Sequence, residues 1–202
     1  MTETAGLTER RRAATRLDIA RAAARLFTER GAGGTTAEAI AAAAGIGLRT
    51  FYRYSRSKED AVAPLLTVGG DAWRSRLAQT APGSPLLPAV EEAIRATLGA
   101  ASTPDLDRDL AWVRGLLRAA NDDPALAAVW YRVNRDSDAR LVPVLGMIAP
   151  AKAQLELRLV AAAATDAIRV ALEVWAEGDE PGAPVELAVR CLRALTAGLS
   201  SA

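Results

Sequence analysis

The sequence contains no histidine, and this absence limits the chemistry that the chain can perform. Serine-type catalytic triads, imidazole zinc sites and histidine proton shuttles all depend on that side chain. No nucleophile–base pair, glycine-rich phosphate loop or metal-ligand spacing is found in its place. We therefore expect a protein that is not an enzyme and that holds no metal and no cofactor.

Cysteine and long apolar segments are also scarce. Cys191 is the one cysteine, so the chain cannot form an intramolecular disulfide, which is typical of a reducing compartment. No stretch approaches the roughly 18–20 uncharged apolar residues that a transmembrane helix requires. The N-terminal MTETAGLTERRR has no apolar segment after its basic cluster and does not resemble a secretory signal. We expect a cytoplasmic protein that has no membrane partner.

Aromatic residues make up only 4% of the chain, whereas alanine is its most frequent residue. Alanine is the best helix former, and apolar residues recur at intervals of three and four rather than two. These patterns predict an all-α fold of about nine helices. Caps, glycines and prolines predict helices over 10–30, 37–44, 48–54 and 57–79, helix starts near 85, 104 and 124, and helices over 152–177 and 184–199.

The formal net charge is only +1, which at first argues against a nucleic-acid partner. Its distribution changes that conclusion. Residues 1–60 carry 11 Lys and Arg against 7 Asp and Glu, giving +4, whereas residues 61–202 carry 14 against 17, giving −3. The basic N-terminal part and the acidic remainder differ as two domains with separate functions do. We predict a DNA-binding domain at 1–60 and a ligand-binding and dimerisation domain at 61–202.

The segment TTAEAIAAAAGIGLRTFYRYSRSK, residues 35–58, has the features of a helix-turn-helix. Gly45 lies where two short helices turn sharply, and a small residue there permits their close approach. The helix that follows carries Arg49, Thr50, Tyr52, Arg53 and Tyr54, whose side chains can donate hydrogen bonds to phosphates and base edges. A basic arm, Arg10 to Arg12 with Arg16, is expected to precede the first helix, where it could approach the DNA backbone or minor groove. The alternative interpretation is an amphipathic helix with a solvated polar face.

At these residues the chain resembles the tetracycline-repressor (TetR) family of bacterial regulators. The resemblance covers about residues 16–64 and rests on IARAAARLFTERG, TTAEAIAAAAGI and TFYRYSRSKED, which occur in this order and spacing. It implies an N-terminal three-helix DNA-binding unit and a larger helical body that binds a small ligand and dimerises. The DNA-binding residues that it implies are Thr36, Leu48, Arg49, Thr50, Tyr52, Tyr54 and Lys58.

Within this set the resemblance implies that residues 48–50 begin the recognition helix in the major groove, while Thr36, Tyr52, Tyr54 and Lys58 contact phosphates. We expect Arg49 to be the main base-reading residue, because a guanidinium pairs with guanine through two hydrogen bonds. The chain departs from the family at two positions. Gly47 stands where a capping serine is common, and Ser55 replaces an aromatic residue that usually packs beneath the fourth helix.

Beyond about residue 65 only the architecture resembles the family. The resemblance implies a homodimer in which the last two long helices form a four-helix bundle with their partners. Two apolar stripes suit that role, one of Leu155, Leu159, Ala162 and Ala163 and the other of Val185, Leu192, Leu195 and Leu199. The alternative is that both stripes complete the core of the monomer.

Helices four, six and seven line the ligand cavity of the family, and most of the tryptophans fall on them. The candidate ligand-binding residues are Trp73, Trp112, Trp130, Tyr131, Asn134 and Arg169. Two alternatives stay open: the aromatic residues are ordinary core, and Arg169 pairs with Asp166 or Glu173 on its own helix.

The sequence therefore predicts a DNA-binding transcriptional regulator. We expect a repressor whose partners are a palindromic double-stranded DNA operator, a second copy of the chain and a small apolar or amphipathic effector that releases the operator. The alternative is a constitutive repressor or activator with a solid, ligand-free C-terminal core.

Overall fold

Every regular element in the part of the chain that the structure describes is helical. The structure is a computed structural model, and it describes residues 2–99, 103–181 and 183–198. Within these ranges the α-helices are α1 Thr2–Arg30, α2 Ala37–Ala43, α3 Leu48–Tyr54, α4 Ala63–Leu77, α5 Leu86–Leu98, α6 Pro104–Ala120, α7 Pro124–Ile148, α8 Gln154–Glu177 and α9 Val185–Thr196. The all-α prediction is confirmed.

The first and fourth helices differ most from their predicted bounds, whereas α2, α8 and α9 differ by one to three residues at their ends within the described part of the chain. The first helix begins at Thr2, well before the predicted start near Arg10, because alanine, glutamate and arginine extend it. The fourth segment opens with a short 3₁₀ turn, Asp60–Val62, before α4 begins at Ala63. Pro64 fits there because the first turn of a helix does not use its backbone N–H groups. The predicted end of the last helix near Leu199 lies outside the described residues.

The cap-and-proline starts are largely confirmed. Pro104 and Pro124 are the first residues of α6 and α7, while α5 begins one residue after Pro85. Before α7, the Asp123 carboxylate accepts hydrogen bonds from the backbone N–H groups of Ala125 and Leu126, both at 2.9 Å. These bonds satisfy amides that the helix itself leaves unpaired.

The chain forms two compact units, of which the first combines residues 1–66 with residues 108–130. Its core includes the fully buried side chains of Ile19, Leu26, Phe27, Ile40 and Phe51. The first unit thus holds α1 to α3, the 3₁₀ turn and most of α6. The predicted domain division at residue 60 stays a prediction.

The second unit combines residues 67–107 with residues 131–202. In this unit α8 and α9 pack against each other, and α9 also packs against α5. Alanines on the inner face of α8 permit this close approach. The buried core includes Trp73, Leu77, Val90, Ile94, Leu141, Leu145, Ala161, Ala164, Ala167, Ala171, Ala188, Val189 and Leu192. Among the described residues, we find no helix with both the length and the apolar character that a membrane crossing requires.

Candidate nucleic-acid interface

The loop between α1 and α2 sets the position of the helix-turn-helix. Gly31, with φ of +69°, ends α1 in a left-handed conformation that glycine tolerates. The buried Thr35 hydroxyl contacts the carbonyl oxygens of Leu26 and Gly31, at 3.1 and 2.9 Å. These contacts satisfy carbonyl groups at the end of α1 and fix the path of the chain into α2.

Thr36 caps α2, as the sequence predicts. Its Oγ1 accepts a hydrogen bond from the Ala39 backbone N–H at 3.2 Å, and its backbone is extended. The side chain is exposed. The hydroxyl therefore acts as a hydrogen-bond acceptor in this cap, and its predicted phosphate contact stays a prediction.

The turn between α2 and α3 depends on Gly45, as expected. Its φ is +67°, and its backbone N–H donates to the Ala42 carbonyl at 3.1 Å while that of Ile46 donates to Ala41 at 2.9 Å. Gly47 precedes α3 and provides no side-chain cap. The turn therefore relies on backbone hydrogen bonds, and α3 begins without the serine cap that is common in the family.

The outer face of α3 carries the predicted recognition residues. Arg49 is exposed, Tyr52 is 55% exposed and Leu48 is 37% exposed, while Thr50 is half-buried. Phe51 is fully buried and contacts the Tyr52 ring edge-on, with centroids 5.3 Å apart. Phe51 thereby anchors the helix, and Leu48, Arg49 and Tyr52 lie on its solvent side.

Arg53 also belongs to this face, although the predicted set of DNA-binding residues leaves it out. It is exposed and stands four residues after Arg49, a spacing that brings two side chains to the same side of a helix. Its guanidinium lies over the Tyr54 ring, 5.4 Å from the centroid. The four-residue spacing between Arg49 and Arg53 is the sequence feature that would have placed Arg53 in the predicted DNA-binding set.

Two residues after α3 are more enclosed than the recognition face. Ser55 is 7% exposed and ends α3, its N–H donating to the Phe51 carbonyl at 2.9 Å. Lys58 is half-buried, and its Nζ donates to the carbonyls of Ala32 at 2.6 Å and Thr35 at 2.9 Å. The ammonium that the resemblance assigns to a phosphate contact therefore already binds the α1–α2 loop.

The basic N-terminal segment is part of α1 rather than a separate arm. Arg11, Arg12 and Arg16 are exposed on this helix, and Thr15 Oγ1 donates to the Arg11 carbonyl at 3.0 Å. These cations add to the positive charge of the first unit, which favours polyanionic partners.

The six candidate ligand-binding residues fall in both units. Trp112 and Trp130 belong to the first unit, and the other four belong to the second. Trp130 is buried, and the Arg108 guanidinium lies 5.3 Å from the centroid of the Trp112 ring. Trp73 is buried in the core of the second unit, Asn134 is half-buried and Tyr131 is 55% exposed.

Arg169 forms both of the ion pairs that the sequence offered as its alternative role. Its Nε lies 2.9 Å from Asp166 Oδ1, and its Nη1 lies 2.9 Å from Glu173 Oε2. The same guanidinium lies over the Tyr131 ring, 5.7 Å from the centroid. Its contribution to ligand binding stays a prediction.

A groove of about 440 Å³ lies between α5 and α9 in the second unit. Glu91 and Arg193 form part of its wall, with Arg193 Nη2 2.6 Å from Glu91 Oε1. The Arg193 guanidinium, with help from Arg95, lowers the pKa of Glu91 below its ordinary value. None of the six candidate ligand-binding residues lines this groove.

A glycine-based turn, a short helix with a polar outer face and a surrounding all-helical fold define a helix-turn-helix protein. Residues 19–63 match the model of a family described as bacterial regulatory proteins, tetR family. The HTH-type transcriptional regulator TcmR of Streptomyces glaucescens is 30% identical over 141 residues. The matched region covers 69% of this chain and 62% of the length of that regulator.

Solved structures agree on the fold. Thermus thermophilus FadR, a repressor of this family in complex with lauroyl-CoA, is 24% identical with a TM-score of 0.57, and the match covers 91% of this chain and 94% of that one. Salmonella enterica GusR is 19% identical with a TM-score of 0.51, and the match covers 92% and 95%.

Residues 19–63 of the chain belong to the tetR family of bacterial regulatory proteins, and the fold of the described residues is that of the family's solved structures. Members of this family are regulators rather than enzymes, which agrees with the expectation drawn from the chain's composition.

Proposed function

We propose that the chain is a DNA-binding transcriptional repressor that holds a palindromic operator as a homodimer in the cytoplasm and releases it when a small apolar or amphipathic effector binds. The observation that carries this proposal is the outer face of α3. There, exposed Arg49 and Tyr52 stand on a helix that buried Phe51 and the Gly45 turn hold in place.

The side chains on this face, together with Thr36, can make two kinds of contact with DNA: contacts to base edges and contacts to phosphates. Arg49 can pair with the O6 and N7 atoms of guanine, whereas Thr50 can contact a neighbouring base edge. The hydroxyls of Thr36, Tyr52 and Tyr54 suit phosphate oxygens, which fix the register of the protein on the duplex. Arg49 therefore determines specificity, and the hydroxyl-bearing residues determine orientation.

DNA binding is tested by fluorescence anisotropy with a labelled duplex of random sequence. We expect the logarithm of the binding constant to fall linearly with the logarithm of salt concentration, with a slope of about −0.9 per phosphate neutralised. A variant with Arg11, Arg12 and Arg16 changed to Gln should bind with a shallower slope. Binding that does not respond to salt would contradict the proposal.

Dimerisation through α8 and α9 is supported by apolar side chains that face solvent in the single chain. Leu155 is 69% exposed and Leu159 is 44% exposed on α8, and Leu195 is 51% exposed on α9. Large apolar side chains that are exposed on neighbouring helices suit an interaction surface. The buried Leu192 belongs instead to the core of the second unit.

Sedimentation velocity tests the dimer with a matched pair of variants. Leu159→Glu places a charge on the proposed interface and should give a monomer. Ala128→Glu places the same charge on an exposed position of α7, outside α8 and α9, and should remain a dimer. A monomeric wild-type chain, or a dimer that survives Leu159→Glu and Leu155→Glu together, would contradict this interface.

For an effector to release the operator, the effector and the operator must prefer different conformations of the protein. Coupling between two sites is reciprocal, so an effector that releases the operator must bind less tightly when the operator is present. The amphipathic probe 8-anilinonaphthalene-1-sulfonate, titrated calorimetrically with and without saturating DNA, measures this coupling. Equal affinity in both titrations would contradict the effector model for that class of ligand.

The second candidate function is a constitutive repressor or activator with a solid C-terminal core. It is favoured by Trp73, which is 4% exposed and packs among the apolar residues of the second unit. Under this alternative Trp73→Phe changes stability but does not alter the response of DNA binding to any probe.

A further inference from the structure

Lys58 forms two hydrogen bonds within the protein. Its ammonium carries three N–H groups, of which two donate to the backbone carbonyls of Ala32 and Thr35, at 2.6 and 2.9 Å. These carbonyls lie 26 and 23 residues earlier in the chain. One side chain thus joins the segment after α3 to the loop before α2.

A carboxylate also lies near the Lys58 ammonium. Glu59 Oε1 lies 3.7 Å from Lys58 Nζ, and the two side chains are only 14% and 28% exposed, respectively. Hydrogen bonds from a charged donor to carbonyls are stronger than neutral ones. A phosphate would therefore have to compete with two carbonyls and a carboxylate for this ammonium.

The loop that Lys58 binds is the one that places Thr36. Thr35 contributes its carbonyl to Lys58 and its hydroxyl to the end of α1, while Thr36 caps the first turn of α2. Gly34 allows the tight path of this loop, because a Cβ there would lie 2.5 Å from the Arg30 carbonyl oxygen. Without the lysine, two carbonyls would lose a charged donor beside the residue that begins α2.

We propose that Lys58 is a positioning residue of the helix-turn-helix: it fixes the α1–α2 loop, and so Thr36 and α2, relative to α3, instead of neutralising a phosphate. This inference rests on the proposed DNA binding, and it revises the role that the resemblance implies for Lys58. The ammonium contributes to affinity through the geometry of neighbouring groups.

The first test uses the protein without DNA and therefore does not depend on the proposed function. In Lys58→Met, which keeps the aliphatic stem, we expect the carbonyl ¹³C resonances of Ala32 and Thr35 to shift and the Ala39 and Ile40 amides to lose protection from hydrogen exchange. Lys58→Arg should restore both. Arg56→Met is the control, since Arg56 is an exposed cation two residues away. Wild-type exchange in Lys58→Met would overturn the proposal.

The second test separates positioning from phosphate neutralisation by the salt dependence of duplex binding. We expect Lys58→Met to weaken binding by about tenfold, comparable with one charge-assisted hydrogen bond, with the wild-type salt slope retained. A phosphate ligand would instead lower the magnitude of the slope by about 0.9. Such a fall in Lys58→Met beyond that in Arg56→Met would overturn the proposal.

A measurement on the wild-type chain keeps the proposal testable if Lys58→Met does not fold. The Lys58 ¹⁵Nζ resonance and the two carbonyl resonances should stay unchanged when duplex DNA is added. Displacement of all three would show that the ammonium leaves the loop for a phosphate, which overturns the proposal. Failure of the chain to bind DNA would contradict the proposed function, and the DNA-free test would still decide the role of Lys58 in the loop.

Discussion

Arg21 on α1 and Asp109 on α6 form a bidentate ion pair: Nε lies 3.1 Å from Oδ1 and Nη2 lies 2.8 Å from Oδ2. Their side chains are 30% and 16% exposed. The pair joins the first helix of the DNA-binding region to a helix that follows 88 residues later. Two parallel hydrogen bonds fix the relative orientation of the two side chains as well as their distance.

Removing one partner of this pair should destabilise the first unit. We expect Asp109→Ala to lower the free energy of unfolding by about 1–3 kcal/mol, because it leaves a partly buried guanidinium without its carboxylate. A double-mutant cycle with Arg21→Ala in urea measures the coupling between them. Additive single-variant effects would contradict a direct interaction.

Gly115 should not tolerate alanine, although it lies inside a helix. A Cβ there would lie 2.4 Å from Thr28 Oγ1 and 2.9 Å from Thr28 Cγ2, so rotation of Thr28 still leaves an atom in the way. We expect Gly115→Ala to destabilise the protein by about 1–3 kcal/mol through overpacking. Thermal or urea unfolding measures the change.

The control for Gly115 is Gly69 on α4, where an added Cβ would meet no atom within 4 Å. Gly69→Ala should stabilise the protein by about 0.5–1 kcal/mol, the ordinary gain of alanine over glycine in a helix. Thr28→Ala should rescue Gly115→Ala. No rescue would show that the clash lies elsewhere.

Arg49→Ala should reduce specificity more than general affinity. We expect a loss of about 1–3 kcal/mol on the preferred sequence and relaxed choice at one base position, because the variant loses hydrogen bonds to a base edge. Anisotropy titrations on preferred and random duplexes measure the two losses. Equal losses on both would refute base reading by Arg49.

Asp138 should destabilise the folded protein at neutral pH. Burial, followed by the nearby Asp166 carboxylate, raises the pKa of Asp138 above its ordinary value of 3.8, and Arg158 partly opposes the shift. A carboxyl whose pKa is raised by folding favours the folded state most at low pH, and this contribution is lost as pH rises through the folded pKa.

We therefore expect Asp138→Asn to raise the unfolding midpoint at pH 7.5, with a gain that shrinks as the pH falls towards 4. Thermal unfolding between pH 4 and pH 8 measures this dependence. A gain that does not vary with pH would indicate a packing effect instead of an electrostatic one.

The features that the sequence predicts correctly have local determinants. Thr36 caps α2 and Gly45 forms the turn because each acts on residues within one helical turn, and α3 has its predicted bounds. Contacts between residues that are distant in the sequence were not predictable in this way. The carbonyls bound by Lys58 and the α6 carboxylate bound by Arg21 have no signal in the local pattern. The sequence allows Arg169 either to bind a ligand or to pair with Asp166 or Glu173, because the spacing on α8 permits the ion pairs without excluding a ligand.

Selection of bound sequences from a pool of random duplex DNA tests the central claim most directly. If a homodimer presents two α3 helices to successive major grooves, the selected DNA should contain an inverted repeat with half-sites about 34–36 Å apart. The same selection with Arg49→Ala should lose preference at one position in each half-site. Enrichment of no sequence, or of a single half-site without its inverted copy, would contradict the account.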